Sequence, residues 1–408
     1  MRPSLSFIIV AAAALWHFGS VLSPAWVVVS EKPSNGRDFA SFYYAVQVAA
    51  DGGDPYDRAA LEAHASEMGK ERKVHPYFYP PPFLQAMSWV RSLDLRTAYQ
   101  WWFWLDELAL IAAALTLWRW WRPLGPMVGP VIAVSIAMLT AAPNNHVMGQ
   151  MNFPALGLAF GGLWLEEEDR PWLGGALLGA ACMWKMSPAL LVAWWLLHGR
   201  WRAVAGACLT AVALTLLALP LVSAPVQWHF YSEVLPAFST GDYNGLTVSI
   251  GLFGNHSLPN LWHQAFPGGG EGLSHAARWI STGVNLGLLM FLAFCFRRRP
   301  DDRLARACQL GAVGIAMLLL PVYTYEHHLV WALPAAVALV VAFAKGRLTL
   351  GWAIPLGMSL AVWCYSLANM KQLWTHGASP LLVGSVQEVK FIALVILLGG
   401  CAWVGRWR

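Results

Sequence analysis

The chain has 408 residues, 57% of them hydrophobic and 12% charged, with a formal net charge of +5. Soluble proteins carry roughly 25% charged residues, and an aqueous core could not take up this much apolar side chain without large exposed patches, so a soluble globular protein is excluded. The small positive excess falls mainly in short loops, which marks it as a topology signal and argues against nucleic-acid binding.

A helix needs about 20 apolar residues to cross about 30 Å of hydrocarbon. The first such run, 5–29, follows Arg2. It is too long for a signal-peptide core and has no clear small-residue cleavage site, so it reads as a retained first helix. Segment 30–99 follows, with helical character from Asp38 to Ala50, a turn at Asp51-Gly52-Gly53-Asp54-Pro55 and a rigid break at Tyr79-Pro80-Pro81-Pro82. It reads as short helices lying on the membrane surface. Apolar runs at 100–120, 126–142 and 148–165 come next. The run 172–198 is interrupted at Lys185-Met186-Ser187-Pro188. A lysine at mid-bilayer costs about 2.5–3.5 kcal/mol, and proline removes a helix hydrogen bond, so two shorter helices meeting at Lys185 are expected. The remaining runs are 202–222, 276–297, 304–321, 328–344, 348–368 and 389–405, separated by polar segments at 223–275 and 369–388. The expected architecture is one all-α polytopic membrane domain over 1–408, with about twelve transmembrane helices and outward-facing surface helices and loops.

The distribution of basic residues orients this arrangement. With Arg2 in the cytoplasm, the inner loops hold Arg119, Arg122, Arg170, Arg200, Arg202, Arg297 to Arg299, Arg303, Lys345, Arg347, Arg406 and Arg408. Reading 172–198 as a single pass would invert everything after it, so the charge pattern supports the break at Lys185. Segments 30–99, 223–275 and 369–388 then face away from the cytoplasm.

The cysteines, Cys182, Cys208, Cys295, Cys308, Cys364 and Cys401, lie in or beside apolar runs with no CxxC pair, so neither a disulfide framework nor a zinc site is implied. No DxD, HExxH or Gly-rich phosphate loop is present, and no metal or other cofactor is expected. Polar residues at the outer helix ends fall into five groups: Asp38; Asn144, Asn145, His146, Gln150 and Asn152; Lys185; Asn255-His256-Ser257; and Tyr323, Tyr325, Glu326, His327 and His328. Each has a structural alternative. Asp38 could be the N-cap of the following helix. Lys185 could be an interfacial lysine that snorkels. The Asn/Gln group could be helix–helix glue, and the His327–His328 pair could be satisfied interfacial groups. The expected location of all five on one side of the bilayer favours a site over a transport path, which would place polar groups through its depth.

The series Asp38-Phe39-x-x-Phe42-Tyr43-Tyr44-Ala45, Gly53-Asp54-Pro55-Tyr56-Asp57, Tyr79-Pro80-Pro81-Pro82, Gly149-Gln150-x-Asn152, Lys185-x-x-Pro188, Asn255-x-Ser257-Leu258 and His327-His328 resembles glycosyltransferase family 87. That family belongs to the GT-C membrane enzymes and includes polyprenyl-phosphate-mannose-dependent mannosyltransferases. The resemblance implies a polyprenyl-phospho-sugar donor, a lipid or glycan acceptor, and a catalytic carboxylate just after the first helix, at Asp38. Asp38 would act as general base on one face of the sugar. Lys185, His327 and His328 would contact the donor phosphate. Tyr44, Asn145, Gln150, Asn152 and Asn255 would bind sugar or acceptor. A base and cations on opposite faces imply inversion. A lipid-linked oligosaccharide polymerase or ligase, a lipid or sugar transporter and a non-catalytic scaffold are the competing readings. Arginine-poor outer loops beyond 30–99 weigh against the first of these.

The orientation has a direct test. In a background with the native cysteines replaced, a cysteine at Ser66 is expected to react with a membrane-impermeant maleimide in intact cells. Labelling only after lysis overturns the orientation.

Overall fold

The computed structural model describes residues 3–32, 36–67, 74–241, 254–268, 272–365 and 380–406, and every regular element among them is helical. Among these residues five helices are long and apolar enough to cross a membrane: Leu5–Glu31, Leu95–Leu124, His275–Cys295, Glu326–Ala344 and Glu388–Gly405. A sixth is formed if Val128–Ala137 and Ala141–Met148, bent by 58°, make one broken span. The other apolar runs form shorter helices, such as Asn152–Glu167 and Arg303–Leu319. Among the described residues the fold is therefore all-α with five or six membrane-length helices, where about twelve were expected from run lengths. Of the third polar segment, 369–379 lies outside the described residues, and a helix begins at Pro380.

The chain divides into two compact units, each assembled from separate stretches. One comprises Leu22–Leu117 and Asn145–Val248, and the other Met1–Val21, Trp118–Asn144 and Ser249–Arg408.

In the first unit, segment 30–99 forms the helices Arg37–Ala50, Arg58–Glu67 and Pro81–Ala86 and a 3-10 turn at Ser88–Ser92. The prolines after Tyr79 start a helix instead of ending one. Pro81 and Pro82 occupy its first turn, where a missing N–H costs nothing. An aromatic core joins these pieces. Phe42 meets Tyr79 and Phe83 edge-on, with centroids 4.8 and 5.0 Å apart. Tyr56 stacks on Phe230 at 4.9 Å and donates its hydroxyl to Tyr79 O at 2.9 Å.

The break at Lys185 is present. Pro171–Trp184 ends there, Lys185 is extended, and Ala189–Leu197 follows. Nine residues rise only about 13 Å, less than half the hydrocarbon thickness, so this return is not a full pass. It does reverse the chain. Gly175 abuts Ala203 and Gly206, and Gly179 abuts Ala207, so Pro171–Trp184 and Trp201–Leu217 run side by side in the same direction. Arg200, just before the second of these, pairs with Glu166, just before the first. Small residues let these backbones touch, the usual means of helix association where lipid gives no hydrophobic drive.

In the second unit Arg303–Leu319 is buried on all sides and packs against Leu333–Ala344 and Pro380–Gly405. Gly311 and Gly314 allow close approach to Ala335 and to Trp331 O. Asp302 caps the buried helix, accepting from Leu304 N at 3.1 Å.

These contacts set a pair of expected outcomes. A Cβ at Gly175 would overlap Ala203 O, whereas Gly287 has nothing within 4 Å. Gly175→Ala should destabilise by about 1–3 kcal/mol through overpacking. Gly287→Ala should be neutral, or stabilising by up to about 1 kcal/mol from helix propensity. Thermal unfolding in detergent distinguishes them, and equal effects would refute the packing assignment.

Candidate active site

The helix Arg37–Ala50 is capped by Gly36, so Asp38 is not the N-cap; it stands in the first turn. Gly36 fits because a Cβ there would fall 2.6 Å from the Tyr99 ring. The Asp38 carboxylate receives two donors from distant parts of the first unit. His75 Nδ1 lies 2.9 Å from Oδ1, and Gln150 Nε2 donates to Oδ2 at 2.6 Å. The chain of contacts continues. Tyr79 OH donates to Gln150 Oε1 at 2.6 Å, and Lys185 Nζ donates to Tyr79 OH at 3.4 Å while lying 5.3 Å from the centre of its ring. Burial first, and the Asp38 charge second, push the Tyr79 phenol well above its ordinary range. The phenol therefore stays protonated and keeps its role as donor. The side chains of Asp38 and His75 retain 13% and 29% exposure, so the carboxylate is reachable.

Local structure explains why Gln150 points at Asp38. It sits in the turn between Ala141–Met148 and Asn152–Glu167. Gly149 adopts φ 69°, and a Cβ on it would meet Phe39 Cβ at 2.5 Å, so only glycine lets this turn close on the Asp38 helix. Trp102 Nε1 donates to Gly149 O at 2.9 Å, and Tyr99 reaches Val147 O. Behind the turn lies a buried network. Asn152 Nδ2 donates to Asn145 Oδ1, and Asn145 Nδ2 donates to Asp106 Oδ2, both at 2.8 Å. His146 stands between Asp106 at 2.9 Å and Glu107 at 3.1 Å. Asn145 and Asn152, expected to touch sugar, are fully buried in this network.

Tyr44 is also buried, 2% exposed, edge-on to Tyr43 at 5.4 Å. Six residues on from Asp38 it falls about 240° around the helix, away from the carboxylate, and has no open face for a sugar. Phe42, four residues on, shares the Asp38 face and packs on Tyr79.

In the second unit the 255–257 and 322–324 stretches are stitched together. Asn255 Nδ2 donates to Val322 O and Asn255 Oδ1 accepts from Thr324 N, both at 2.9 Å. Ser257 Oγ also donates to Val322 O at 2.9 Å, and His256 N donates to Thr324 O at 2.8 Å. Asn255 is 1% exposed, so its amide serves this connection. The following 3-10 turn Glu326–Ala332 holds the histidine pair, with ring centres 4.2 Å apart. His328 Nδ1 accepts from Tyr325 N at 3.0 Å, which leaves the proton of the neutral ring on Nε2, a donor. Glu326 is buried in an ion pair with Lys390, accepts from Thr140 Oγ1 at 2.9 Å, and lies 3.7 Å from His256 Nε2.

The sequence reading identified Asp38, Gln150 and Lys185, which the fold brings together. It missed His75, which carries no periodicity or motif, and Lys390, which is hidden in an apolar run. The motif around Tyr79 was visible, but its hydroxyl link was not.

Comparison with known proteins gives a consistent picture. The model of glycosyltransferase family 87 matches residues 77–321, more than half of the chain. Tyr79, Gln150 and Lys185 lie inside the match; Asp38 and His75 precede it, and His327 and His328 follow it. An alpha-(1->3)-arabinofuranosyltransferase of Mycobacterium tuberculosis is 29% identical over 185 residues, 43% of this chain and 42% of that protein. A polyprenol-phosphate-mannose-dependent alpha-(1-2)-phosphatidylinositol pentamannoside mannosyltransferase of the same species is 27% identical over 255 residues, 61% of this chain and 55% of that protein. Its Mycolicibacterium smegmatis counterpart is 27% identical over 247 residues, 58% and 55%. The chain thus spans about half the length of the curated relatives it matches.

The hydroxyl of Tyr79 is the link in this site that one substitution removes. Tyr79→Phe keeps the ring but leaves Gln150 Oε1 and Lys185 without it. A stability loss of about 1–3 kcal/mol is expected, read as a lowered melting temperature in detergent. An unchanged melting temperature would show that the hydroxyl holds nothing.

Proposed function

The chain belongs to glycosyltransferase family 87, and from that premise we propose that it moves a hexose from a polyprenyl-phosphate-linked donor to a lipid or glycan acceptor, on the non-cytoplasmic side of the membrane and with inversion. The observation that carries this reading is Asp38, held by two donors at the head of a helix and tied through Gln150 and Tyr79 to a cation.

In the proposed step the acceptor oxygen attacks the anomeric carbon, and its proton passes to the Asp38 carboxylate. The bond from the anomeric carbon to the phosphate oxygen breaks, and its electron pair leaves on the polyprenyl phosphate. That anion is a good leaving group, so charge compensation matters more than a strong acid. Lys185 supplies a cation in the same unit as the base. His327 and His328 belong to the other unit and are proposed as phosphate contacts on their chemistry alone, His328 through Nε2–H. Gln150 orients the base, a role that replaces the sugar contact expected of it.

Mannose is the preferred donor sugar, because the match to the mannose-dependent relatives covers more of both chains. The arabinofuranosyltransferase relative supports arabinofuranose as the second reading. Transfer assays with the two polyprenyl-phospho-sugars, side by side, decide between them.

Two variants test the roles. Asp38→Asn should fold and still accept from Gln150, yet lose turnover by about 100-fold or more. Lys185→Ala should lose one charge-assisted contact, about 1.5–3 kcal/mol, read as weakened donor use. Near wild-type turnover of Asp38→Asn removes Asp38 as the base. Unchanged donor kinetics in Lys185→Ala removes the cation from the mechanism.

A further inference from the structure

His75 is 37 residues from Asp38 in sequence and belongs to the stretch 74–80, which has no regular structure up to Pro80. Its Nδ1 nevertheless lies 2.9 Å from Asp38 Oδ1, and the two side chains are 29% and 13% exposed. An ionised carboxylate only accepts hydrogen bonds, so Nδ1 must carry the proton and donate it. Gln150 Nε2 occupies the other oxygen from a different part of the unit. A carboxylate gripped at one oxygen can still turn about its Cβ–Cγ bond; gripped at both, it cannot. Each oxygen keeps a further lone pair, since a carboxylate has about four acceptor sites, so the grip leaves room to take a proton.

We infer that His75 is a positioning residue for the Asp38 base: its Nδ1–H fixes Oδ1 while Gln150 fixes Oδ2, and together they hold the carboxylate in the direction from which it takes the acceptor's proton. The inference rests on the reading of Asp38 given above. It assigns His75 no contact with substrate and no proton of its own to move. What the position requires is an N–H at the place of Nδ1. The side-chain amide of asparagine carries one at nearly the same distance from Cα; alanine carries none.

The test uses the full-length protein in detergent, a short-chain polyprenyl-phospho-mannose donor with its arabinofuranose counterpart in parallel, and octyl mannoside as acceptor probe. His75→Ala should lower kcat about 10- to 100-fold, the scale of a misplaced catalytic group, with the donor KM within about twofold. His75→Asn should recover most of that loss. In an Asp38→Asn background, adding His75→Ala should leave the residual turnover unchanged, because a residue that acts only through the carboxylate has nothing left to position. Wild-type kcat in His75→Ala overturns the inference. So does a His75→Asn variant as slow as the alanine one, which would make His75 a base or a ligand and not a donor to Asp38. A further drop in the double variant overturns it as well. If His75→Ala unfolds, the asparagine variant and the double variant with His75→Asn carry the same comparisons. The Asp38→Asn single variant separates the two levels: if it turns over like the wild type, the reading of the site fails; if it is inactive while His75→Ala is fully active, only the role of His75 fails.

Discussion

An ammonium can only donate hydrogen bonds and a carboxylate can only accept them, and the candidate site is strung between one of each. Lys185 donates to Tyr79, Tyr79 donates to Gln150, and Gln150 donates to Asp38. With both ends fixed in kind, no link can reverse. The phenol must point its proton at Gln150, and the amide must present its nitrogen to Asp38. A run of neutral groups between two hydroxyls would have alternative directions and would blur the site. Here three segments far apart in sequence are locked into one polarity: the break between two helices, the start of a helix after Tyr79, and a glycine turn. In the proposed reaction, the cation for the leaving phosphate and the carboxylate for the arriving hydroxyl would stand at the two ends of that run.

The run depends on what lies behind it. Gln150 is aimed by a turn that Gly149 permits and that Asn145, Asn152, Asp106, His146 and Glu107 hold from the buried side. Burying polar groups is costly unless each finds a partner. This group lowers that cost by setting an imidazole between two carboxylates and by an amide that donates to one of them. Asn145 and Asn152, polar residues that stood out in the sequence, are thus bonded into the buried frame. The second unit works in the same way, with Asn255 and Ser257 tying one stretch of backbone to another ahead of the histidine pair.

Much of the fold could be read from the sequence because its physics is one-dimensional. Apolar run length and a lysine with a proline in an apolar stretch each have a local cost, and they predicted the helical architecture and the break at Lys185. Run length alone does not separate a full pass from a short return: Ala189–Leu197 is as apolar as a full pass but too short to be one. Asp38, Gln150 and Lys185 were legible as polar residues in places that disfavour them. His75 was not, because a histidine in a polar, irregular stretch costs nothing and so signals nothing until the chain folds back. Tyr44 shows the converse case. Its motif was visible, but helix rotation turns it from the Asp38 face and into the aromatic core.

Lys390 shows the same limit for a charge inside an apolar run. A lone lysine there would be expensive, and the run alone gives no reason for it. The reason is Glu326, placed immediately before the two histidines and paired with Lys390, with Thr140 as a further donor. Breaking one partner of such a pair strands the other charge, at a cost of about 3–5 kcal/mol. The pair is therefore poor evidence of net stability, but a stringent fix on position. It pins the start of the Glu326–Ala332 turn to the last helix, and with it the backbone N–H of Tyr325, which sets the tautomer of His328. A charge that looks misplaced in the sequence thus anchors the turn that carries the histidine pair.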